Sequence, residues 1–466
     1  MPLLRGEVMP DRAVRIAIIG AGPSAFYAAA ALIKQEDVEV RVDLFDRLPA
    51  PYGLVRYGVA PDHQRIKSVA ALYEKTASDP RVRFFGCVEF GKHITIDNLR
   101  PLYDMVVFAT GAQSDRSLGI PGEDLNGSMS ATEFVAWYNG HPDYKDLNPD
   151  LSVEGVAVVG VGNVAMDVAR ILAKSIDELK ETDIADHALE ALKDSKVKNI
   201  YVLGRRGPAQ AKFTNPEIKE FGKLETADPV VLASELELDP HSATTVEQNR
   251  MARQNVEILR EYAERGQGDK ARKVHFRFLV SPVEIHGDGK VSGIKIERNK
   301  LVSTEDGYLN AEGTGEFEEL EVGMVLRSVG YKGVPVPGMP YDKRKGTIPN
   351  DHGRVLNPET GNPIPGAYVV GWAKRGPTGV IGTNKKDAEE TVELLLEDVP
   401  HIRRAGVEAK AEQKLEELLE GASCKYVSFD EWQKFNELEV ERGKPQNRPR
   451  VKFINIDEMR AASSGS

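Results

Sequence analysis

A short glycine pattern occurs twice in this 466-residue chain, each time between an apolar strand and an amphipathic helix. Ile16–Ala25 reads I-A-I-I-G-A-G-P-S-A, with Gly20, Gly22 and Ala25 at G-x-G-x-x-A spacing. Val156–Ala165 reads V-A-V-V-G-V-G-N-V-A, with Gly160, Gly162 and Ala165 at the same spacing. A buried β-branched strand, a tight turn and a helix N-terminus together make a pyrophosphate cradle. One copy is weak evidence. Two copies in this context predict a chain that holds two dinucleotides.

The next strand after each motif tells the two nucleotides apart. Val40–Phe45 ends in Asp46, about 26 residues beyond Gly20, close to the spacing of a ribose-binding acid. A carboxylate there accepts from a free 2′-OH and repels a 2′-phosphate. Asn199–Leu203 ends instead in Gly204-Arg205-Arg206-Gly207. Two guanidinium groups suit a 2′-phosphate through forked, charge-assisted hydrogen bonds. The first site is therefore expected to take FAD or NAD and the second NADP(H). The competing readings are a solvated turn for the arginines and an ordinary strand-end carboxylate for Asp46.

The chain is longer than one hydrophobic core normally supports. The expected fold is α/β with two Rossmann-like dinucleotide-binding domains. The NADP-binding domain (117–320) is inserted into a discontinuous FAD-binding domain (14–116 and 321–400). A disordered arm (1–13) precedes them, and a small α-rich C-terminal extension (401–466) with a disordered end follows. Single helices are expected over Gln64–Ser78, Val164–Glu178, Ile184–Lys193 and Val246–Arg265, the last exposed. Strands are expected over Val82–Phe90, Asp104–Ala112 and Ala367–Trp372, with a hairpin over Val283–Arg298 turning at Gly287-Asp288-Gly289. Gly323–Gly330 reads as the strand that returns to the first domain. A net charge of −11 argues against wholesale nucleic-acid binding. No apolar run is long enough for membrane insertion, and a cytoplasmic protein is expected. Cys87 and Cys424 are too far apart for a CxxC redox pair.

Three segments have the character of a flavin site. Pro51–His63 is an apolar loop whose glycines and prolines exclude regular structure. Gly371-Trp372 closes a strand, and Gly376–Asn384 is expected to open a helix running to Leu396. A helix N-terminus there would favour negative charge on a reduced flavin.

The strings Gly53–His63, Phe84–Val88, Phe134–Asn139, Gly160–Leu172, Thr182–Leu189, Gly204–Ala211 and Gly371–Asn384 resemble NADPH–ferredoxin reductases of the adrenodoxin-reductase type, bacterial branch. The likeness covers roughly Arg15 to Leu396. It implies hydride transfer from NADPH to FAD, then single electrons to a ferredoxin-type iron–sulfur protein. Carried over residue by residue, it implies FAD contacts at Ser24, Asp46, Leu54, Phe90, Trp372, Gly379, Val380 and Ile381. It implies NADP contacts at Arg116, Val161, Gly162, Asn163, Val164, Arg205, Arg206, Glu217 and Gly379. Asp46 stands where the family usually has Glu, and Phe90 replaces a small aliphatic residue. His63 and Glu217 match the family's polar pair near the nicotinamide, where they would position the amide and manage a proton. On the residues alone, His63 closes a turn and Glu217 decorates a helix.

Other readings remain. A thioredoxin-reductase-like enzyme needs a cysteine pair, and the electron-input subunit of an amidotransferase-type synthase needs a cysteine-rich segment. An NADPH-sensing FAD protein would act mainly through interaction rather than turnover. For an acidic ferredoxin, Lys193–Lys198, Arg250–Arg253, Lys270–Lys273 and Arg448–Lys452 are the candidate docking stretches.

Overall fold

The computed structural model describes residues 12–304, 309–402 and 411–464. Two largely parallel sheets carry the glycine turns. In the seven-stranded sheet the order is Asn350–Asp351, Arg354–Leu356, Pro363–Val369, Met105–Phe108, Val14–Ile19, Val40–Phe45 and Val82–Phe85. Val14–Ile19 runs parallel to both Val40–Phe45 and Met105–Phe108, so the first glycine turn leaves mid-sheet. The six-stranded sheet has the order Ser128–Ser130, Met324–Arg327, Gly155–Val159, Asn199–Gly204, Arg272–Phe278 and Ala227–Val231. Its central strand Gly155–Val159 is buried on both faces, which is why it reads as a continuous apolar run.

Met324–Arg327 corrects the expectation for Gly323–Gly330. It pairs in parallel with Val156–Val159 and Ser128–Ser130, inside the second sheet, and strands of the first sheet resume only at Asn350. The hairpin forms with Val280–Gly287 against Val291–Ser303, but Leu309–Leu320 adds a third antiparallel strand. That strand is exposed and rich in Glu, so it lacks the apolar alternation by which a strand is recognised.

Several expected elements divide at local signals. Gln64–Ser78 becomes Gln64–Lys67 and Ala70–Ala77. Val164–Glu178 becomes Asn163–Ala173 and Ile176–Leu179, because Ser175 and Glu178 form a capping box that starts a new helix. Asn249 likewise caps Arg250–Arg265, and Pro240–Gln248 precedes it. That helix is not exposed all round: Val256, Leu259 and Tyr262 are buried. The strand expected over Val82–Phe90 stops at Phe85, and Cys87 adopts φ +64. The helix expected to open at Gly376 begins at Thr383 and runs to Ile402.

Residues 1–11 of the expected arm lie outside the described residues, but Arg12 is anchored by hydrogen bonds of 2.8 and 2.7 Å to Asp104. At the other end, Ala461–Ser463 complete the helix Ile456–Ser463, with Ser463 buried; 465–466 lie outside the described residues.

The extension packs as part of the core. Its helices span Ala411–Gly421, Phe429–Gly443 and Ile456–Ser463. Phe429, Trp432 and Phe435 join the apolar cluster of the first sheet, with the Trp432 ring 5.0 Å edge-on from Tyr52. Arg448 and Lys452 are buried, which removes them as docking groups. Arg448 donates to the Thr182 and Ile184 carbonyls, and Lys452 reaches Asp183 at 3.4 Å. All three of those partners belong to the segment after the second glycine helix, so the extension ties both halves together.

The deepest tie is Arg56–Glu439, paired at 2.9 and 2.5 Å with side chains 4% and 0% exposed. Glu439 also accepts from the Phe453 N–H at 2.9 Å. Removing one member strands a buried charge. Glu439→Ala is expected to lower the unfolding free energy by about 3–5 kcal/mol in urea denaturation; a loss under about 1 kcal/mol would show that the pair is not stabilising the extension.

Candidate active site at the junction of the two sheets

Both glycine turns are forced by close approach. Gly20 has φ +106, and a Cβ there would sit 2.5 Å from the Ala109 carbonyl oxygen; Gly160 has φ +136 and would meet the Ser328 oxygen at 2.2 Å. Two residues on, a Cβ at Gly22 or Gly162 would meet nothing within 4 Å. The helices that follow, Pro23–Ile33 and Asn163–Ala173, have no side-chain cap. Ser130, Ser175 and Ser428 cap their helices with full capping boxes. The two glycine helices thus leave first-turn N–H groups and open space together, which fits a pyrophosphate at each.

At the first strand tip, Asp46 accepts from the Ala21 N–H at 2.8 Å and the Leu48 N–H at 2.9 Å. Burial raises its carboxyl and those two N–H groups hold it back, leaving it above its ordinary value. Being short, the side chain is turned inward onto the glycine turn. At the second tip, Arg205 is exposed and Arg206 half-buried. Among the described residues no carboxylate lies within ion-pair range of Arg205. Its carbonyl accepts from Asn299 Nδ2 at 2.9 Å, and that of Arg206 accepts from the Leu279 N–H at 3.1 Å, so the hairpin holds the loop. Arg116 is also exposed, with its N–H on the Gly330 carbonyl at 3.0 Å.

The remaining candidates fall along the two turns. The Ser24 hydroxyl donates to Asn384 Oδ1 at 3.2 Å, and Leu54 opens the short helix Leu54–Tyr57. Phe90 packs edge-on against Phe108 at 5.4 Å, so its side chain is spent on the core and its backbone is what remains for a ligand. Trp372 stacks obliquely on Tyr331 at 5.2 Å, and its indole N–H donates to the Thr378 carbonyl. Gly379 has φ +80, and Val380 is 58% exposed with its N–H on Thr383 Oγ1 at 3.1 Å. Ile381 is half-buried. Val161 and Val164 pack against the second core, and Asn163 Oδ1 accepts from the Thr214 N–H at 2.9 Å.

His63 and Glu217 do come together, with Nδ1 to Oε1 at 3.9 Å, but they belong to a larger cluster. At its centre is Arg170, whose side chain is fully buried. It donates to Asp62 at 2.8 and 3.0 Å, to Asp167 at 2.7 Å and to Glu217 at 3.0 Å, and lies 3.2 Å from Glu220. Lys174 adds a 3.0 Å pair to Asp62. His63 sits 3.7 Å from Asp167 through Nδ1 and 3.2 Å from Glu220 through Nε2. His63 and Asp62 come from the Pro51–His63 loop of the first half; the rest come from two helices of the second. Asp167/Arg170 and Glu217/Glu220 are both i,i+3 pairs on one helix face. Arg170, Asp167 and Glu220 were not singled out from the sequence. The available signal was Arg170 itself, a lone charge within the apolar run V-A-R-I-L on the buried face.

Four carboxylates around two permanent cations leave an excess of negative charge, so protons are held here. Burial, then repulsion from Asp167, raises Glu217 to about 7 against the pull of Arg170 and His63. Asp167 is likewise raised by burial, while Asp62 is held low because its bonds to Arg170 outweigh burial. Burial would depress His63, but the Glu220 bond and the nearby aspartates outweigh it and leave the imidazole raised. The carboxylates and imidazole are close enough to share a metal ion. The Arg170 guanidinium already fills that role and would repel a divalent cation.

A pyridine nucleotide-disulphide oxidoreductase family model matches residues 14–202. The NADPH-ferredoxin reductase FprA of Mycobacterium tuberculosis is 48% identical over 454 residues, covering 95% of this chain and 98% of that protein. The mitochondrial NADPH:adrenodoxin oxidoreductase of Arabidopsis thaliana is 42% identical, covering 97% of this chain and 96% of its own. The solved structure of M. tuberculosis FprA in complex with NADPH superposes with a TM-score of 0.92 at 46% identity, covering 97% and 100% of the two chains.

The raised Glu217 carboxyl has a stability consequence. Its ordinary value is 4.5 and its folded value about 7, so the folded protein binds the proton more tightly. That contribution is full below pH 4.5 and is lost as pH rises through 7. Glu217→Gln, a fixed mimic of the protonated form, is expected to gain on the parent as pH rises, by up to roughly 3 kcal/mol at pH 8. Urea unfolding of the FAD-loaded proteins across pH 5 to 8 checks this; a difference independent of pH would contradict the assignment.

Proposed function

The chain belongs to the NADPH–ferredoxin reductases of the adrenodoxin-reductase type, and from that premise we propose that it oxidises NADPH and passes electrons singly to a ferredoxin-type iron–sulfur protein. The observation that carries this reading is the joint cluster. His63 arrives from the first glycine unit and Arg170 and Glu217 from the second, at the junction where two dinucleotides held at Gly22 and Gly162 would meet.

Bound FAD supplies the one piece of chemistry that no side chain here has, accepting hydride and returning electrons one at a time. The chain supplies the rest. The Gly20–Ser24 turn and Asp46 would hold FAD, with Leu54, the Phe90 backbone, Trp372 and Gly379–Ile381 along the flavin half. The Val161–Val164 turn, Arg116, Arg205 and Arg206 would hold NADP(H), and 14–116 with 321–400 and 117–320 would serve as FAD- and NADP-binding domains around them, the strand at Met324 excepted. His63 and Glu217 would position the nicotinamide amide and hold a proton close to the reacting atoms. With Arg448 and Lys452 buried, the remaining basic stretches Lys193–Lys198, Arg250–Arg253 and Lys270–Lys273 are the candidates for an acidic ferredoxin. Among the described residues no helix is long and apolar enough to cross a membrane. We place the enzyme in the cytoplasm, where NADPH and small ferredoxins are available; cell fractionation tests the compartment.

The 2′-phosphate assignment is testable at Arg205, because its side chain is exposed at the strand tip. Losing one charge-assisted pair costs about 1.5–3 kcal/mol, so Arg205→Ala is expected to raise KM for NADPH on the order of 10- to 100-fold. KM for NADH and the yellow FAD absorbance should stay as in the parent. An unchanged preference for NADPH over NADH would remove Arg205 from the coenzyme site. A parent that oxidises NADPH yet reduces no ferredoxin would leave the interaction-protein reading in its place.

A further inference from the structure

Three consecutive cations stand at the edge of the first sheet without a carboxylate partner. Lys343, Arg344 and Lys345 are exposed, and among the described residues no carboxylate lies within ion-pair range of any of them. Asp342, the acid of the same loop, commits its side chain to the N–H groups of Arg344 and Lys345 at 2.9 and 3.0 Å. Lys332 joins them, since a Cβ at Gly346 would meet its Cγ at 2.7 Å, and it too has no ion pair among the described residues. The exposed Val334 lies two residues further on. In a chain of net charge −11, these four cations make a local reversal of sign.

The loop is firmly held, and it is held against the segment assigned to the flavin. Asp342 and Thr347 pair as an antiparallel bridge, with the Gly346 N–H on the Asp342 carbonyl at 2.7 Å. The Gly346 carbonyl accepts from the Gly333 N–H at 3.1 Å. Past the tip, the Ile348 N–H donates to the Ala373 carbonyl at 2.9 Å and Asn350 Nδ2 to the Lys374 carbonyl at 3.0 Å. On the other side, the Tyr331 ring rests on Trp372. Trp372 follows Pro363–Val369, which runs parallel to Met105–Phe108 and therefore ends at the same edge as the first glycine turn. The cations project beside the Gly371–Gly376 turn.

Resting on the reading above, we propose that Lys332, Lys343, Arg344 and Lys345 form the docking surface for the acidic face of the ferredoxin-type acceptor. Electron transfer falls steeply with distance, so the acceptor has to settle where the flavin turn meets the surface. Opposite charge steers that encounter and fixes its orientation. A tip pinned by its own backbone loses little freedom on binding. The other basic stretches are worse placed. Lys198 precedes Asn199–Gly204 and Lys273 stands at the start of Arg272–Phe278. Both strands run parallel to Gly155–Val159, so these lysines lie at the edge opposite the second glycine turn. They are also paired, Lys198 with Glu154 at 2.6 Å and Lys273 with Asp228 at 2.9 Å. In the third stretch, Arg253 is turned back onto the Val246 and Glu247 carbonyls.

The test uses the FAD-loaded full chain and an acidic [2Fe–2S] ferredoxin, its reduction read through cytochrome c. The double variant Lys343→Glu/Lys345→Glu is expected to lower kcat/KM for ferredoxin about tenfold or more and to flatten its dependence on ionic strength. Lys343→Gln/Lys345→Gln should fall between this variant and the parent. Turnover with menadione, an uncharged acceptor, should stay as in the parent for both. Lys193→Glu/Lys196→Glu makes the same charge change at the opposite edge of the second sheet and should lower kcat/KM by about threefold or less. An unchanged kcat/KM at the loop, an unchanged salt dependence, an equal loss with menadione, or an equal effect at Lys193 and Lys196 would each overturn the proposal. A parent that turns over menadione but neither binds nor reduces the ferredoxin is a separate outcome: it overturns the functional reading itself.

Discussion

Arg170 is the group on which the junction depends. A guanidinium with no exposure at all is tolerable only because its donors meet four carboxylates drawn from three segments. Those segments belong to both glycine units, so one side chain fixes the distance between the halves and the charge state between them. Without it, Asp62, Asp167, Glu217 and Glu220 would repel one another across the junction. With it, the residual negative charge is small enough to be balanced by a proton rather than by a metal ion. The same contact that holds the fold sets the chemistry.

The extension does the corresponding work at the far side of the junction. Glu439, Arg448 and Lys452 each reach a buried partner, on Arg56 in the first half and on Thr182–Ile184 in the second. Burial pushes the Lys452 ammonium well below its usual range against the attraction of Asp183. A cation so placed serves packing, not partner recognition. From the sequence alone Arg448–Lys452 is an ordinary basic run, because a docking patch and a buried polar seam have the same composition. Only the carbonyls and carboxylates waiting in Thr182–Asp186 distinguish them, and these lie more than 260 residues away in the chain.

The legible part of the molecule was the part written in local pattern. Glycine turns announce themselves because Gly20 and Gly160 tolerate no Cβ against Ala109 and Ser328, and the strands before them are apolar throughout. Arg205-Arg206 and Asp46 were singled out because each stands at the end of the strand after a glycine unit, and their proposed coenzyme roles rest on that position. His63 and Glu217 were reachable through a family resemblance and not through spacing. What stayed hidden depends on contacts distant in sequence. Glu220 looks like any exposed helical acid until His63 is placed against it. Met324–Arg327 looks like any buried strand until its neighbours are known, and Leu309–Leu320 carries no apolar face at all.

The two strand tips proposed for the coenzymes are built on opposite electrostatic logic. At Asp46 the carboxylate is buried and spent on two backbone N–H groups, so it shapes the glycine turn as much as it could meet a ribose. Being shorter than the Glu usual in the family, it gains the turn and gives up reach. At Arg205 the side chain is exposed and only its carbonyl is held, by the buried Asn299 of the hairpin. On the proposed assignment, FAD would meet a strand tip whose carboxylate is already committed to the backbone. On the same assignment, NADP(H) would meet the exposed Arg205 side chain on a backbone held at its carbonyl. The hairpin, which touches neither motif in sequence, fixes the backbone from which Arg205 projects.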